Sequence, residues 1–451
     1  MKERTPIQLS DHFTYRRLLR FVLPSIVMMV FTSVYGVVDG FFVSNFAGKT
    51  AFSAINLIMP FVMILGGIGF MIGTGGTALV SKVLGEGDRE KANRYFTMMI
   101  GLTLGLGILF SVGGCLAMRP VAQLLGATEA MLPYCVLYGR IVVGFTVAFM
   151  LQNVFQSFLI AAEKPRLGLV VTVAAGVTNM FLDWLFVGVF RWSVAGAAVA
   201  TGISQCVGGL LPLVYFLRPN DSLLRLVPAK PEPKALVQAC WNGSSELMSN
   251  IASSLVSILY NFQLLRFIGE DGVSAYGVLM YVQFVFVAVF IGYSIGCAPI
   301  VSYHFGARNR GEMSNLLRKS VFLMSATGIV MCVLAYVCAG PFAKLFVGYD
   351  ESLFALTKHA FRLFSFAFLM AGFNIFTSSF FTALNNGTIS AAVSFLRTLV
   401  FQTSSVLLLP EIVGVDGIWW AITIAECCAC LIDIVFLIVK RKKYGYTLRR
   451  I

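Results

Sequence analysis

Charge is what this sequence has least of. Asp, Glu, Lys and Arg make up 12% of the chain, against roughly 25% in a soluble domain. With 58% hydrophobic residues and a mean hydropathy of +0.83, that shortage excludes a soluble globular protein and predicts an all-α polytopic membrane protein. Histidine is scarcer still, with three residues. The ten cysteines, among them Cys206, Cys332, Cys427 and Cys428, are scattered through apolar segments without metal-ligand spacing. They read as buried thiols, neither bridged nor metal-binding. Residues 1–20 lack an apolar core followed by a small-residue cleavage site, so the first apolar helix is expected to be retained.

What is present are apolar runs. A spanning helix needs about 20 such residues, and that length recurs about twelve times: 18–43, 52–77, 97–118, 134–160, 167–190, 194–216, 235–267, 274–302, 316–340, 353–381, 389–409 and 415–439. The formal net charge of +13 comes from basic residues crowded at the termini and in alternate loops. They include Lys2, Arg4, Arg16, Arg17 and Arg20 at the start, Lys82, Arg89, Lys91 and Arg94 after the second run, Arg308, Arg310, Arg318 and Lys319 after the eighth, and Lys440 to Lys443, Arg449 and Arg450 at the end. This is the positive-inside pattern, so nucleic acid is excluded as a partner and both termini are expected in the cytoplasm, with the chain in the plasma (inner) membrane.

Pro219, Pro228, Pro231 and Pro233 interrupt the chain midway. They predict a cytoplasmic linker, 218–234, between a first lobe, 1–217, and a second, 235–451. A single gap-free offset of 221 residues supports the division, placing Gly48 on Gly269, Ser53 and Ala54 on Ser274 and Ala275, Gly75 on Gly296, Gly85 on Gly306, Pro120 on Pro341, and Gly196 on Gly417. It also places Asn153, Phe155 and Ser157 on Asn374, Phe376 and Ser378. Six helices per half return each repeat to the same side, so two pseudo-symmetric lobes related by an axis along the membrane normal are expected, enclosing a cavity that opens alternately to either side.

Polar residues inside these apolar helices are the functional candidates. Asn179 and Asp183 on the fifth, Thr201 and Gln205 on the sixth, and Tyr35 and Asp39 on the first are spaced four apart, so each pair shares a helix face. Counting at 1.5 Å per residue sets Asp39, Asp183 and Thr201 at a similar level in the outer leaflet. Two carboxylates, an amide oxygen and a hydroxyl suit a hard cation such as Na+. Equally, two carboxylates together in low dielectric suit a proton carrier. The plain alternative is interhelical hydrogen-bond glue. The repeat places Tyr260, Val400, Ser404, Ile422 and Glu426 opposite Asp39, Asn179, Asp183, Thr201 and Gln205. That asymmetry argues for a specialised site in the first lobe.

These residues, with Pro24 in the first helix, Val38-Asp39-Gly40-Phe41-Phe42 at its end and Gly85-Glu86-Gly87-Asp88 after the second, give the chain a resemblance to the multidrug and toxic compound extrusion (MATE) family. It is nearer the DinF-like and MepA-like bacterial or archaeal types than the vibrio type. The resemblance spans essentially the whole chain and implies a MATE-like fold. It implies secondary active export of amphipathic, often cationic compounds against H+ or Na+, by alternating access. It also implies cation coupling at Asp39, Asn179, Asp183 and Thr201, with Tyr35, Tyr138 and Gln205 supporting the pocket. No cofactor is expected beyond the coupling ion, and no enzyme activity. The expected partners are small amphipathic or cationic substrates and the lipid bilayer, with the chain acting as a monomer.

Other features have more than one reading. Arg397 and Glu426 on the eleventh and twelfth helices are a structural ion pair or a substrate or second proton site, with Asp433 a competing partner. Glu246 either faces the cavity or lies near the cytoplasmic surface. Arg140 is given no role, and His304 and His359 are expected to sit alone. Phe149, Met150, Phe155, Met280, Tyr281, Phe284 and Phe286 either line the cavity or pack against protein and lipid. Pro24 and Gly36 are expected to let the first helix bend. A flippase for a lipid or lipid-linked precursor is the other transport reading, and it calls for a cationic cavity. A membrane-embedded enzyme would have to use Asp39 and Asp183 as a dyad, and no accompanying motif supports that.

Overall fold

The structure, a computed structural model, describes residues 7–46, 49–348 and 350–447, and among these it contains helices and no strand. Lys2, Arg4, Gly48, Arg449 and Arg450 lie outside the described residues. The first lobe comprises α1 (Tyr15–Phe46), α2 (Lys49–Gly85), α3 (Arg89–Leu124), α4 in two arms (Leu132–Gly144 and Thr146–Ala161), α5 (Pro165–Val189) and α6 (Ser193–Leu217). The second comprises α7 (Pro233–Phe267), α8 (Glu270–Gly306), α9 (Arg310–Val337), a short unlabelled helix (Ala339–Val347), α10 (Glu351–Ala383), α11 (Gly387–Val413) and α12 (Asp416–Tyr444). Among the described residues ten helices are long and apolar enough to cross a membrane, and the two arms of α4 together make an eleventh. The remaining element is α7, whose 35 residues suffice in length but whose Ser244, Ser245, Glu246, Ser249 and Asn250 make it more polar.

At least three of the expected spans need correction. The fourth is not one rod: it bends by 53° at Phe145, where the ring occupies the space left by Gly202 of α6. The repeat puts Phe366 opposite Phe145, and there α10 passes through a 3₁₀ turn, Ser365–Ala367. Several helices also outrun the bilayer. At 37 residues, α2 and α8 extend about 55 Å, because their polar ends continue helically where hydropathy falls.

The repeat is visible in the caps as well. Asp88 accepts from the Lys91 amide and Asn309 from the Glu312 amide, an equivalent N-cap in each lobe. The linker is tied to α3: the Arg225 amide donates to Asn93 Oδ1 and the Val227 amide to Thr97 Oγ1, each at 3.0 Å.

The lobes meet at the face that carries the first and last described residues, here termed the terminal face. Small residues permit the contact. A Cβ on Gly75 would strike the Ala239 carbonyl of α7, one on Gly292 would come within 2.6 Å of Ile26 Cα, and one on Gly296 within 3.0 Å of Val22 Cβ. Thus α7 lies on α2 and, symmetrically, α1 lies on α8. An N-terminal strap crosses the same face, with the Leu9 amide donating to Glu163 Oε1 (2.6 Å) and the Phe13 amide to Glu312 Oε1 (2.9 Å). On the opposite half, Tyr281 and Phe284 of α8 are left exposed.

Candidate functional site

The first lobe brings Asp39 and Asp183 side by side, close enough for their carboxyl groups to interact directly, with Tyr138 beside both. Each is delivered by a local feature. Asp183 is the last α-helical residue of α5 before the turn widens into a π-helical segment, Trp184–Val189, a distortion that frequently accompanies functional sites. Tyr35 reaches α5 because residue 176 is glycine: a Cβ there would lie 2.5 Å from Phe31 Cε1 and 2.8 Å from Tyr35 Cδ1. Thr201 follows from helix register. Ser204 Oγ donates to the Ala175 carbonyl at 2.8 Å and Gly196 packs on Phe186, so the antiparallel α5 and α6 bring Thr201 opposite Asn179.

The polarity of the cluster is not spent on hydrogen bonds within the chain. Asp183 is 0% exposed, and among the described residues neither of its carboxylate oxygens receives a donor in bonding geometry. Asp39 Oδ1, Asn179 Oδ1 and Gln205 Oε1 are likewise buried without a partner. Acceptor oxygens in a low-dielectric interior are met by a cation, a proton, ordered water or a donor from a neighbouring helix. Oxygen donors of this kind fit a hard cation such as Na+. The equivalent place in the second lobe is filled by packing, since Tyr260, opposite Asp39, stacks on Tyr276 at 4.8 Å.

Gln152 is a member that sequence reasoning missed. Its side chain lies beside Tyr35 and fits because residue 208 is glycine, where a Cβ would lie 2.7 Å from Gln152 Cδ. The signal was present, because Gln152 and Gln156 repeat on α4 the four-residue spacing of polar groups in an apolar helix.

In the second lobe Arg397 grips Glu426 with two nitrogens, Nε to Oε1 at 2.9 Å and Nη2 to Oε1 at 2.8 Å, while Asn374 Nδ2 donates to Oε2 at 2.6 Å. Glu426 is therefore the partner of Arg397 in direct contact, and Asp433 is buried with both oxygens unpaired. Arg140 donates to the Cys115 carbonyl at 3.2 Å. His359 does not sit alone, as its Nε2 pairs with Asp416 Oδ1 at 2.9 Å; among the described residues the nitrogens of His304 have no hydrogen-bond partner. Of the apolar candidates for a cavity wall, Met150, Phe155 and Phe286 are core residues, Phe155 stacking on Phe216. Pro24 lies inside the continuous helix α1, and a side chain at Gly36 would meet open space.

Comparison with known proteins agrees with this architecture. A sequence model of the MatE family matches residues 24–185 and 247–405. The chain is 23% identical to the multidrug export protein MepA of Staphylococcus saprophyticus over 445 residues, 98% of each chain. It is 24% identical to the protein of the same name from Staphylococcus haemolyticus, covering 96% of this chain and 95% of that one. Among solved structures, an outward-facing multidrug resistance MATE family transporter of the MOP superfamily superposes with a TM-score of 0.92 at 18% identity, over 99% of this chain and 100% of the other. A MOP superfamily transporter from Pyrococcus furiosus, whose binding pocket is described as reversed in polarity, superposes with a TM-score of 0.90 at 19% identity, over 99% and 100%.

Proposed function

Because the chain belongs to the MatE family, we propose that it is a secondary active exporter of amphipathic, often cationic compounds, driven by inward movement of H+ or Na+. The observation that carries this reading is the buried Asp39–Asp183 pair, with the oxygens of Asp183, Asn179 and Gln205 unpaired and no equivalent set in the second lobe. The names of the curated relatives, multidrug export proteins, support the choice of cargo.

In this proposal the lobes are 1–217 and 235–451, the terminal face is cytoplasmic, and the protein resides in the plasma membrane. The basic residues of the termini and of the loops after α2 and α8 support that orientation. The described arrangement, packed at the terminal face, corresponds to a state closed to the cytoplasm. A cation arriving from outside binds at Asp39, Asn179, Asp183 and Thr201 and neutralises the pair. Repacking of α1 about Pro24 and Gly36 then narrows the space available to the cargo, which leaves outward, and the lobes rock to release the cation inside.

The test is efflux of a fluorescent lipophilic cation from proteoliposomes under separately imposed sodium and pH gradients, with Asp183→Asn as comparison. Transport that follows one gradient and is lost in the variant supports the proposal and identifies the ion. Wild-type protein that moves no dye under either gradient but translocates a labelled lipid would replace it with the flippase reading.

A further inference from the structure

A second chamber, walled by Ile291, Ile295, Ala298 and Ile375 as well as by polar groups, lies away from the Asp39 cluster, between the lobes. It is lined by α2 and α4 of the first lobe and by α7, α8 and α10 of the second, and has a volume of about 50 Å³. That admits a few water-sized occupants and is far below the roughly 300 Å³ at which drug-sized ligands begin to fit. Among the described residues Glu246 is the one charged side chain on its wall, and around it stand the hydroxyl groups of Thr77, Ser157, Ser294, Ser379 and Thr382.

Three of these hydroxyls are what make the chamber a built site. Thr77, Ser157 and Ser294 are 3%, 2% and 3% exposed, and among the described residues none of their hydroxyl oxygens has a hydrogen-bond partner. They come from both lobes. Among the described residues no hydrogen bond or ion pair reaches the Glu246 carboxylate, and the guanidinium of Arg397 is already held by Glu426. Glu246 is partly buried, and an unpaired carboxylate facing a chamber within an apolar helix bundle favours an ion or a proton as its counterpart. The hydroxyls can donate to an ionised Glu246 as well as accept, but donation leaves its charge uncancelled, and a proton cancels the charge while donating to only one of them. A small hard cation would engage the carboxylate and several hydroxyl oxygens at once. Internal symmetry does not account for the acid, because the repeat places Ser25 opposite Glu246.

We infer that this chamber binds one sodium-sized monovalent cation between Glu246 and the hydroxyls of Thr77, Ser157 and Ser294, and that the ion clamps the lobes together at the terminal face. The chamber adjoins the contact at which Gly75 of α2 meets Ala239 and Gly243 of α7. An ion shared by α2, α4, α7 and α8 binds only while those helices are together. It therefore favours the closed arrangement by its differential affinity and has to leave before the lobes part. The inference depends on closure at this face and not on the nature of the cargo.

Equilibrium binding of radioactive sodium to the purified full-length protein in nanodiscs tests it without any transport step. Glu246→Gln is expected to remove one bound sodium per chain that Asp183→Asn leaves in place. Ser294→Ala and Thr77→Val, which are expected to fold even where Glu246→Gln does not, should weaken that component about tenfold, the loss of one hydrogen-bond-strength contact to a charge. Hydrogen exchange in segments 71–85 and 239–246 should be slower in sodium than in choline for wild type, with no difference in Glu246→Gln. Equal sodium binding by wild type and Glu246→Gln would overturn the inference. So would loss of all bound sodium in Asp183→Asn, or exchange protection that follows pH and ignores sodium, which would leave a proton and water as the occupants.

Discussion

Gly85 of α2 and Gly306 of α8 occupy equivalent positions in the two lobes and pack into one another's helices. A Cβ on Gly85 would collide with the Tyr303 carbonyl, and one on Gly306 with the Lys82 carbonyl, residues that the same offset relates. Both obstacles are backbone atoms, so a side chain has no flexible neighbour to displace. Gly85→Ala or Gly306→Ala should weaken closure by about 1–3 kcal/mol, the usual cost of overpacking. Reactivity of cysteines introduced along the terminal halves of α2 and α8 should rise in each variant; unchanged reactivity would mean that this contact does not hold the face shut.

Asp183→Asn and Asp39→Asn keep size while removing one ionisable carboxyl. Coupled export should fall at least tenfold in each, with normal amounts of folded protein in the membrane. Uncoupled binding of the dye, measured by fluorescence anisotropy, should persist. Full export by both variants would dismiss the Asp39–Asp183 pair as the coupling site.

Arg397 is mostly buried, and Glu426 is its contacting counter-charge. Glu426→Gln strands that charge and should cost about 3–5 kcal/mol, visible as a large drop in the thermal midpoint. The double variant Arg397→Met, Glu426→Met should recover most of the loss. A double variant as unstable as the single one would point to a role for the pair beyond mutual neutralisation.

Gly36 has open space around it, so Gly36→Ala introduces no clash and should favour the helix by about 1 kcal/mol. If α1 repacks at this point during transport, the thermal midpoint should hold or rise while turnover slows severalfold. A variant with unaltered turnover would move the flexing to Pro24 or elsewhere.

Glu163 accepts from the Leu9 amide in the strap. Burial pushes its carboxyl above the usual carboxylate range, outweighing the Leu9 bond and the nearby Lys164, which act the other way. A carboxyl raised on folding is bound to its proton more firmly in the folded state. Its effect on stability therefore worsens as pH climbs from the ordinary carboxylate range up through the raised value. Glu163→Gln keeps an acceptor for Leu9 and should flatten stability across that window; a pH profile identical to wild type would contradict the assignment.

Much of this architecture was legible because membrane insertion imposes strong rules. Span length, basic loops and the constant offset follow from hydrophobicity and charge alone, and the pairing of Asn179 with Asp183 follows from helical period. The bend at Phe145 was not legible, because it depends on where a ring from α4 finds room beside Gly202 of another helix. Nor was the polar chamber: Ser157 and Ser294 look like ordinary helix hydroxyls until tertiary packing sets them around Glu246. Arg397 and Glu426 were readable as a pair, since opposite charges inside neighbouring apolar helices seek each other, but Asn374 entered only through the fold.

The bonds from Arg225 and Val227 to Asn93 and Thr97 bear on how the protein is made. A slack connection would allow the later half of one copy to dock on the earlier half of a neighbour, giving an exchanged dimer. Here the connection is moored to α3, so the leading end of α7 emerges at a fixed post close to the surface of α2 that it must cover. Assembly within a single chain is thereby favoured over exchange between chains during synthesis, when many copies share one membrane.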